Sequence, residues 1–307
     1  MGRREFWDHR RGANARPDAG LGGLDRSRAR ETPSPSDASL PTEVSDSEAH
    51  PLSKATDSCS AGRQASRPAV RRRHPVLAVL GSVLVLLLAA ATAWLRPLPA
   101  QGAALERVDG IGVGTSSTAI ALNMDREQVR ALIFQPGAKV DPRAYVPLLA
   151  KVAKGCDCGV VIVKQPLEVG FLASGAPETI IAAHPEVTSW AIGGHSLGGV
   201  VASQTADADA RIEELVLWAS YPASALTRTD LGVASIWGSA DGLATSDKRV
   251  KTASRLPADA VVTVVDGGIH SFFGDYGIQP GDGTPSISRV DAQAQIVDAT
   301  VKALRAR

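Results

Sequence analysis

Residues Thr188–Ala206 read TSWAIGGHSLGGVVASQTA. An apolar run, TSWAIGG, meets a turn of small residues and then LGGVVASQTAD, whose apolar spacing is helical. Ser196 stands at the junction, between Gly194 and Gly198. G-x-S-x-G is short enough to arise by chance, and a glycine-rich turn with an ordinary capping serine reads the same way. A strand, a tight turn and a helix in that order are nevertheless what an exposed nucleophilic serine requires. Gly194 and Gly198 let the backbone close around it, and Gly193 and Gly199 add room. The helix start presents free N–H groups to a developing oxyanion.

Outward from this stretch the pattern alternates. TAIAL (118–122), RALIFQ (130–135), GVVIVK (159–164), ELVLWAS (214–220), GVASIWGS (232–239) and AVVTVVDGG (260–268) read as strands. The continuous apolar run of GVVIVK is that of a strand buried on both faces. DPRAYVPLLAKVAKG, ETIIAAHP, DKRVKTASRL and the closing SRVDAQAQIVDATVKALRAR read as helices, the first opened by Asp141 and Pro142. Such alternation predicts an α/β domain over 104–307, with a mainly parallel sheet and helices on both faces. SYPASALTRTDL is too short to build a cap domain, so the expected cleft is open.

A nucleophilic serine needs a base, and the base an orienting acid. In this kind of fold they follow the serine in the order acid, then histidine, after later strands. Asp241 in GSADG lies just past one strand, with Asp230, Asp266 and Asp275 as competitors. His270 in GGIHSFFGDYG lies just past the last strand. Of the domain's other histidines, His184 precedes the turn and His195, inside it, is expected to point its ring away from the base. Leu197 N–H is the expected first oxyanion donor. The second is expected from the loop after RALIFQ, with Ala138 N–H favoured and Gly137 shaping the turn. Phe272, Phe273 and Tyr276 read equally as a cleft wall or as packing against the closing helix. Lys164 reads as a snorkelling surface lysine. DGIGVGT lacks the preceding strand and glycine spacing of a dinucleotide loop, and no metal motif or P-loop is visible, so no cofactor and no metal are expected.

The 307-residue chain carries a formal net charge of +1, which gives no push toward nucleic acid. Residues 1–73 are rich in Arg, Ser, Pro, Asp and Ala without apolar periodicity and read as a disordered cytoplasmic tail. From Val76 to Leu95 no residue is charged, and 75–96 is expected to be one transmembrane helix. Arg71, Arg72 and Arg73 before it, against Arg96 after it, predict a cytoplasmic N-terminus and an extracytoplasmic domain at the cell membrane. Trp94 suits the outer interface. A cleaved signal peptide is the alternative, since PLPAQGA follows an Ala-rich end. Three cysteines, Cys59, Cys156 and Cys158, give no disulfide framework. CDC is expected to be two small packed residues, with a local bridge as the alternative.

Together, IFQPGAKVDPRAYVPL, GGHSLGG, LWASYPA, GSADG and GGIHSFFGDYGIQPGDG resemble the alpha/beta-hydrolase superfamily, over about residues 108–306. They are most similar to the alpha/beta hydrolase fold-5 group, related to dienelactone-hydrolase-like proteins. The resemblance implies Ser196 as nucleophile, Asp241 as orienting acid and His270 as general base and acid. It departs from common esterases in lacking an H-G-G loop. The implied function is a membrane-anchored serine hydrolase of the carboxylesterase type, acting on a small ester or on the exposed part of a cell-envelope molecule. The alternatives are a non-enzymatic envelope binding module and an envelope acyltransferase.

Overall fold

The computed structural model describes residues 75–94, 96–105, 108, 110–125 and 128–306. The expected tail over 1–73, with Cys59, lies outside the described residues. Helix α1, Pro75–Trp94, takes the apolar segment and ends at Trp94 rather than at 96. Its described side chains are exposed. No helix among the described residues is long and apolar enough to cross a membrane. The expectation of a transmembrane helix is corrected to that extent: the segment is helical, and a crossing is not shown.

Eight strands form one sheet: β1 (Val113–Thr115), β2 (Ala119–Leu122), β3 (Arg130–Gln135), β4 (Gly159–Val163), β5 (Ser189–His195), β6 (Ile212–Trp218), β7 (Gly232–Gly238) and β8 (Val261–Val265). Their order is β1-β2-β4-β3-β5-β6-β7-β8. β1, β2 and β4 pair antiparallel, and every pair from β4 to β8 is parallel. Helices α2 (Val146–Cys156), α3 (Ala176–Ala183), α4 (Leu197–Ala208), α5 (Ser246–Thr252) and α6 (Arg289–Arg305) connect and close it.

The period of two decides what covers the sheet. Leu132 and Phe134 of β3 and Val160 and Ile162 of β4 share one apolar cluster with Leu148, Leu149 and Val152 of α2 and Ile296 of α6. The alternate residues Ile133, Val161 and Val163 join Ile180 and Ile181 of α3 and Ala202 and Ala206 of α4 on the other face. Both faces of the central strands are therefore buried, which is why those strands read as unbroken apolar runs. Trp218 Nε1–H donates to Thr300 Oγ1 at 2.9 Å and fixes α6 on its face.

Two details differ from the sequence reading. β1 was not expected: three residues with a central glycine carry too little alternation to register, and it exists because it pairs with β2. Cys156 and Cys158 form a disulfide, which replaces the packing reading. Asp157 between them ends α2 in the left-handed region (φ 51°), turning the chain so that the two sulfurs meet.

Backbone packs closely where α4 crosses β3. A Cβ on Gly198 would collide with the carbonyl oxygens of Gln135 and Pro136, neither of which can rotate away. Overpacking of this kind costs about 1–3 kcal/mol. Gly198→Ala is expected to lower Tm by about 2–12 °C at roughly 2–4 °C per kcal/mol. Gly175→Ala, where an added Cβ meets nothing within 4 Å, is expected to stay within about 2 °C. Scanning calorimetry of the two variants checks this.

Candidate active site

The strands from β4 to β8 are mutually parallel, so the loops leaving their carboxyl ends share one edge of the sheet. Ser196 lies there, directly after β5, with φ 52° and ψ −123°. A non-glycine residue in this region costs about 1–3 kcal/mol and needs a surrounding structure that holds it. Here Ser196 N–H donates to Trp218 O at 2.9 Å. Ser220 Oγ donates to Ser196 O at 2.6 Å. A Cβ on Gly194 would meet Gly198 O and Gly199 N at 2.6 Å, so only glycine permits the approach.

His270 opens a short 3-10 turn, His270–Phe273, after β8. Asp282 holds that turn: its Oδ1 accepts from His270 N–H at 3.0 Å and its Oδ2 from Ser271 N–H at 2.8 Å. The imidazole Nδ1 is 2.8 Å from Asp241 Oδ2, with both side chains almost fully buried. Asp241 Oδ1 accepts from Leu243 N–H at 2.8 Å and Ala244 N–H at 2.6 Å. With Nδ1–H donating to Asp241, His270 Nε2 is the acceptor nitrogen, and it is buried without a partner among the described residues. The competing acids are engaged elsewhere. Asp230 pairs with Arg228, Asp266 accepts from Ser239 Oγ, and Asp275 accepts from Gln293 Nε2.

A cleft of about 340 Å³ brings Ser196 and His270 into one wall, with Leu197, Val200, Tyr221 and Leu243. No hydrogen bond joins Ser196 Oγ to His270 Nε2. Leu197 is the first residue of α4, where the N–H groups lack intrahelical acceptors. Gly137 and Ala138 are not among the cleft-lining residues. Gly137 N–H donates to Tyr145 Oη at 2.9 Å and so is already engaged. Phe272, Phe273 and Tyr276 are buried and stand outside the cleft, and Arg289 of α6 lies 4.6 Å from the Phe272 ring centroid. Packing, rather than a cleft wall, is what they supply. Lys164 Nζ donates to Thr115 Oγ1 at 2.7 Å and Ser116 O at 2.6 Å, tying down the β1–β2 turn.

His195 corrects the expectation that its ring points away from the base. Its ring centroid is 4.5 Å from that of His270, and it stacks on Phe273 at 5.7 Å. Its Nδ1 is 2.9 Å from Tyr145 Oη. Tyr145 already accepts from Gly137, so its own proton is donated to His195 Nδ1, and neutral His195 carries its proton on Nε2. Burial first, and then the nearby His270, hold the His195 pKa well below the usual histidine value. Burial also pushes the Tyr145 hydroxyl up. Tyr145 escaped the sequence reading because its partner lies fifty residues away; only its place on the apolar face of a helix was legible. Tyr221 and Lys248, both at the cleft, carry no motif either.

A histidine held neutral by burial has a consequence for stability. Below about pH 6.5 the unfolded chain protonates His195 while the folded chain does not, so stability falls as pH drops through that window. The slope contributed is at most about 1.4 kcal/mol per pH unit. Tyr145, Tyr276 and His270 face the ring and persist in a His195→Gln variant. That variant is expected to lose about one proton's worth of the acid-side slope between pH 6.5 and 5, read from urea unfolding at a series of pH values.

The sequence profile of the alpha/beta hydrolase family matches residues 131–294. Among solved structures, a CIB-like hydrolase from Thermoplasma acidophilum is 16% identical, with 66% of this chain and 96% of that one covered and a TM-score of 0.48. An esterase from Pyrobaculum calidifontis is 15% identical, covering 65% of this chain and 87% of that one with a TM-score of 0.47. A thermostable esterase from Pseudomonas putida is 14% identical, covering 65% and 85% with a TM-score of 0.46. No curated protein matches the chain. The matched profile spans more than half of the sequence, from β3 to α6, and the chain belongs to the alpha/beta hydrolase family.

Proposed function

We propose that the protein is a serine hydrolase that cleaves an ester or related acyl bond through Ser196, His270 and Asp241. One observation carries the reading. The buried Asp241–His270 pair leaves His270 Nε2 unpartnered in the wall of the cleft that Ser196 also lines. In the proposed reaction Ser196 Oγ attacks the carbonyl carbon as His270 Nε2 takes its proton. Asp241 stabilises the imidazolium through Nδ1–H, and the same proton then goes to the leaving alcohol. Leu197 N–H is the first donor to the oxyanion, and the loop after β3 is the proposed source of the second. Water then hydrolyses the acyl-enzyme by the reverse proton path. A cleft of about 340 Å³ suits a short acyl group, with a larger alcohol portion left outside.

The same proposal reads α1 as a single membrane anchor. Its uncharged sequence from Val76 to Leu95 and its exposed Val and Leu side chains support this, since such a helix in water would leave a long apolar surface uncovered. The arginine bias then places residues after Arg96 outside the cytoplasm.

A fluorophosphonate probe applied to the full chain tests the activated serine. Wild type is expected to label at Ser196, Ser196→Ala not at all, and His270→Ala more slowly by about 10²–10⁴-fold. Asp241→Asn is expected to slow labelling on the same scale while circular dichroism stays native. A folded wild type that resists the probe would count against the hydrolase and favour a binding module on the same fold.

A further inference from the structure

The segment that follows α1 joins the domain at the edge where the cleft opens. Leu98 N–H donates to Lys139 O at 2.5 Å, and Asp141 N–H donates to Leu98 O at 3.0 Å, both in the loop that leaves the carboxyl end of β3. Three residues on, Gln101 N–H donates to Asp275 O at 2.8 Å, in the loop that carries His270. The entering chain is thus clamped between two loops of the carboxyl edge. From Trp94, the last residue of α1, to Leu98 the chain can reach about 14 Å at most.

The same edge displays apolar side chains. Lys139 N–H donates to Glu168 O at 2.8 Å, which brings in the loop after β4. In that loop Leu167, Phe171 and Leu172 are exposed by 63%, 48% and 56%. Leu167 and Glu168 hold φ values of 53° and 51°, a conformation that costs an L-residue roughly 1–2 kcal/mol. The loop rests on α4: a Cβ on Gly170 would stand 3.0 Å from Val201, the neighbour of the cleft residue Val200. On the other side of the entering segment Ile278 is 82% exposed, next to Gly277, whose added Cβ would stand 2.9 Å from the Gln101 side chain.

We infer that the carboxyl edge faces the bilayer, with Leu167, Phe171, Leu172 and Ile278 seated in its surface, and that the cleft takes acyl bonds presented from the membrane. The inference rests on the reading of α1 as an anchor. The occupant is lipid rather than a protein partner, because a tether of at most about 14 Å holds this edge beside the point where an anchoring helix leaves the membrane. Four exposed apolar residues around that point lose contact with water on docking, without a second chain. The substrate class that follows is an ester or acyl bond at the lipid–water interface, whose short acyl end enters the cleft. Soluble esters of the same acyl group reach Ser196 without using the apolar residues.

The test uses the full chain carrying Cys59→Ser, reconstituted into phosphatidylcholine–phosphatidylglycerol vesicles. A fluorophore is attached at Phe171→Cys, Ile278→Cys or, as the control at the amino end of β8, Val261→Cys. Nitroxide-bearing lipid is expected to quench the first two at least threefold more than the third. In the Phe171→Ser/Leu172→Ser variant, turnover of a vesicle-embedded ester is expected to fall at least fivefold relative to a soluble ester. Protein that floats with the vesicles but shows equal quenching at all three sites overturns the inference and leaves the anchor standing. Protein that does not float overturns both. Equal loss on the two esters also overturns the inference. Selective quenching in a protein that cleaves neither ester supports the orientation and sinks the hydrolase reading.

Discussion

Everything at the site depends on how closely β5 and α4 can approach. Ser196 sits at positive φ because the strand must hand over to a helix within one residue, and the helix must then pack against β5, β6 and β3 on one face of the sheet. Glycine at 194, 198 and 199 removes the side chains that would otherwise strike backbone or Ser220. Once the turn is closed, two hydrogen bonds to Ser196 from neighbouring strand ends hold its backbone, one through Trp218 O and one through Ser220 Oγ. The serine is therefore fixed by the sheet itself, and the positions of β7 and β8 set where the acid and histidine loops arrive.

Much of this was legible in the sequence, for reasons that differ by element. The strands from β3 to β7 are buried on both faces and carry unbroken apolar runs, so composition alone marked them. The 3-10 turn that leads into α2, Pro142–Tyr145, announced itself through Asp141, whose carboxylate accepts Arg143 N–H at 2.9 Å. Asp241 was preferred because it follows a strand in a Gly-rich turn, while Asp266 lies too close before His270 and Asp275 lies after it, and Asp241 is the one found beside His270. What stayed hidden depends on contacts between distant residues. β1 is defined by its partner, the disulfide by the left-handed turn at Asp157, and the direction of the His195 ring by Tyr145 and Phe273. The even choice over Phe272, Phe273 and Tyr276 could not be resolved by pattern, because a residue after a strand end is equally close to core and cleft.

The hydrogen-bond pattern around the two imidazoles has a common logic. His270 and His195 lie ring to ring, and two imidazolium charges at that separation in a buried site would repel strongly. The structure separates their roles by their partners. His270 faces a carboxylate that accepts on both oxygens, so a proton gained at Nε2 is compensated. His195 faces a neutral tyrosine hydroxyl that also accepts from Gly137 N–H, so no carboxylate there compensates a charge. In the proposed reaction His270 is the ring that takes the proton, while burial keeps its neighbour neutral. The Tyr145 hydroxyl ties that neutral ring to the loop after β3, which joins the serine turn to the loop proposed to supply the second oxyanion donor.

An open cleft sharpens the question of what would exclude water during the proposed acyl transfer, since electrostatic stabilisation of an oxyanion weakens when solvent competes for it. The β6–β7 connection, residues 219–231, is too short to fold over the site and contributes Tyr221 as a wall instead. The buried flank is complete: His270, Asp241 and His195 are nearly inaccessible to solvent. Only the mouth remains, on the carboxyl edge of the sheet that also carries the loops after β3, β4 and β8. Those are the loops that hold the entering segment at Leu98 and Gln101 and that carry Leu167, Phe171, Leu172 and Ile278 outward. A surface that covers the mouth from outside would do the work of a cap, and a chain tethered at that edge has such a surface within reach in the membrane proposed to hold its anchor.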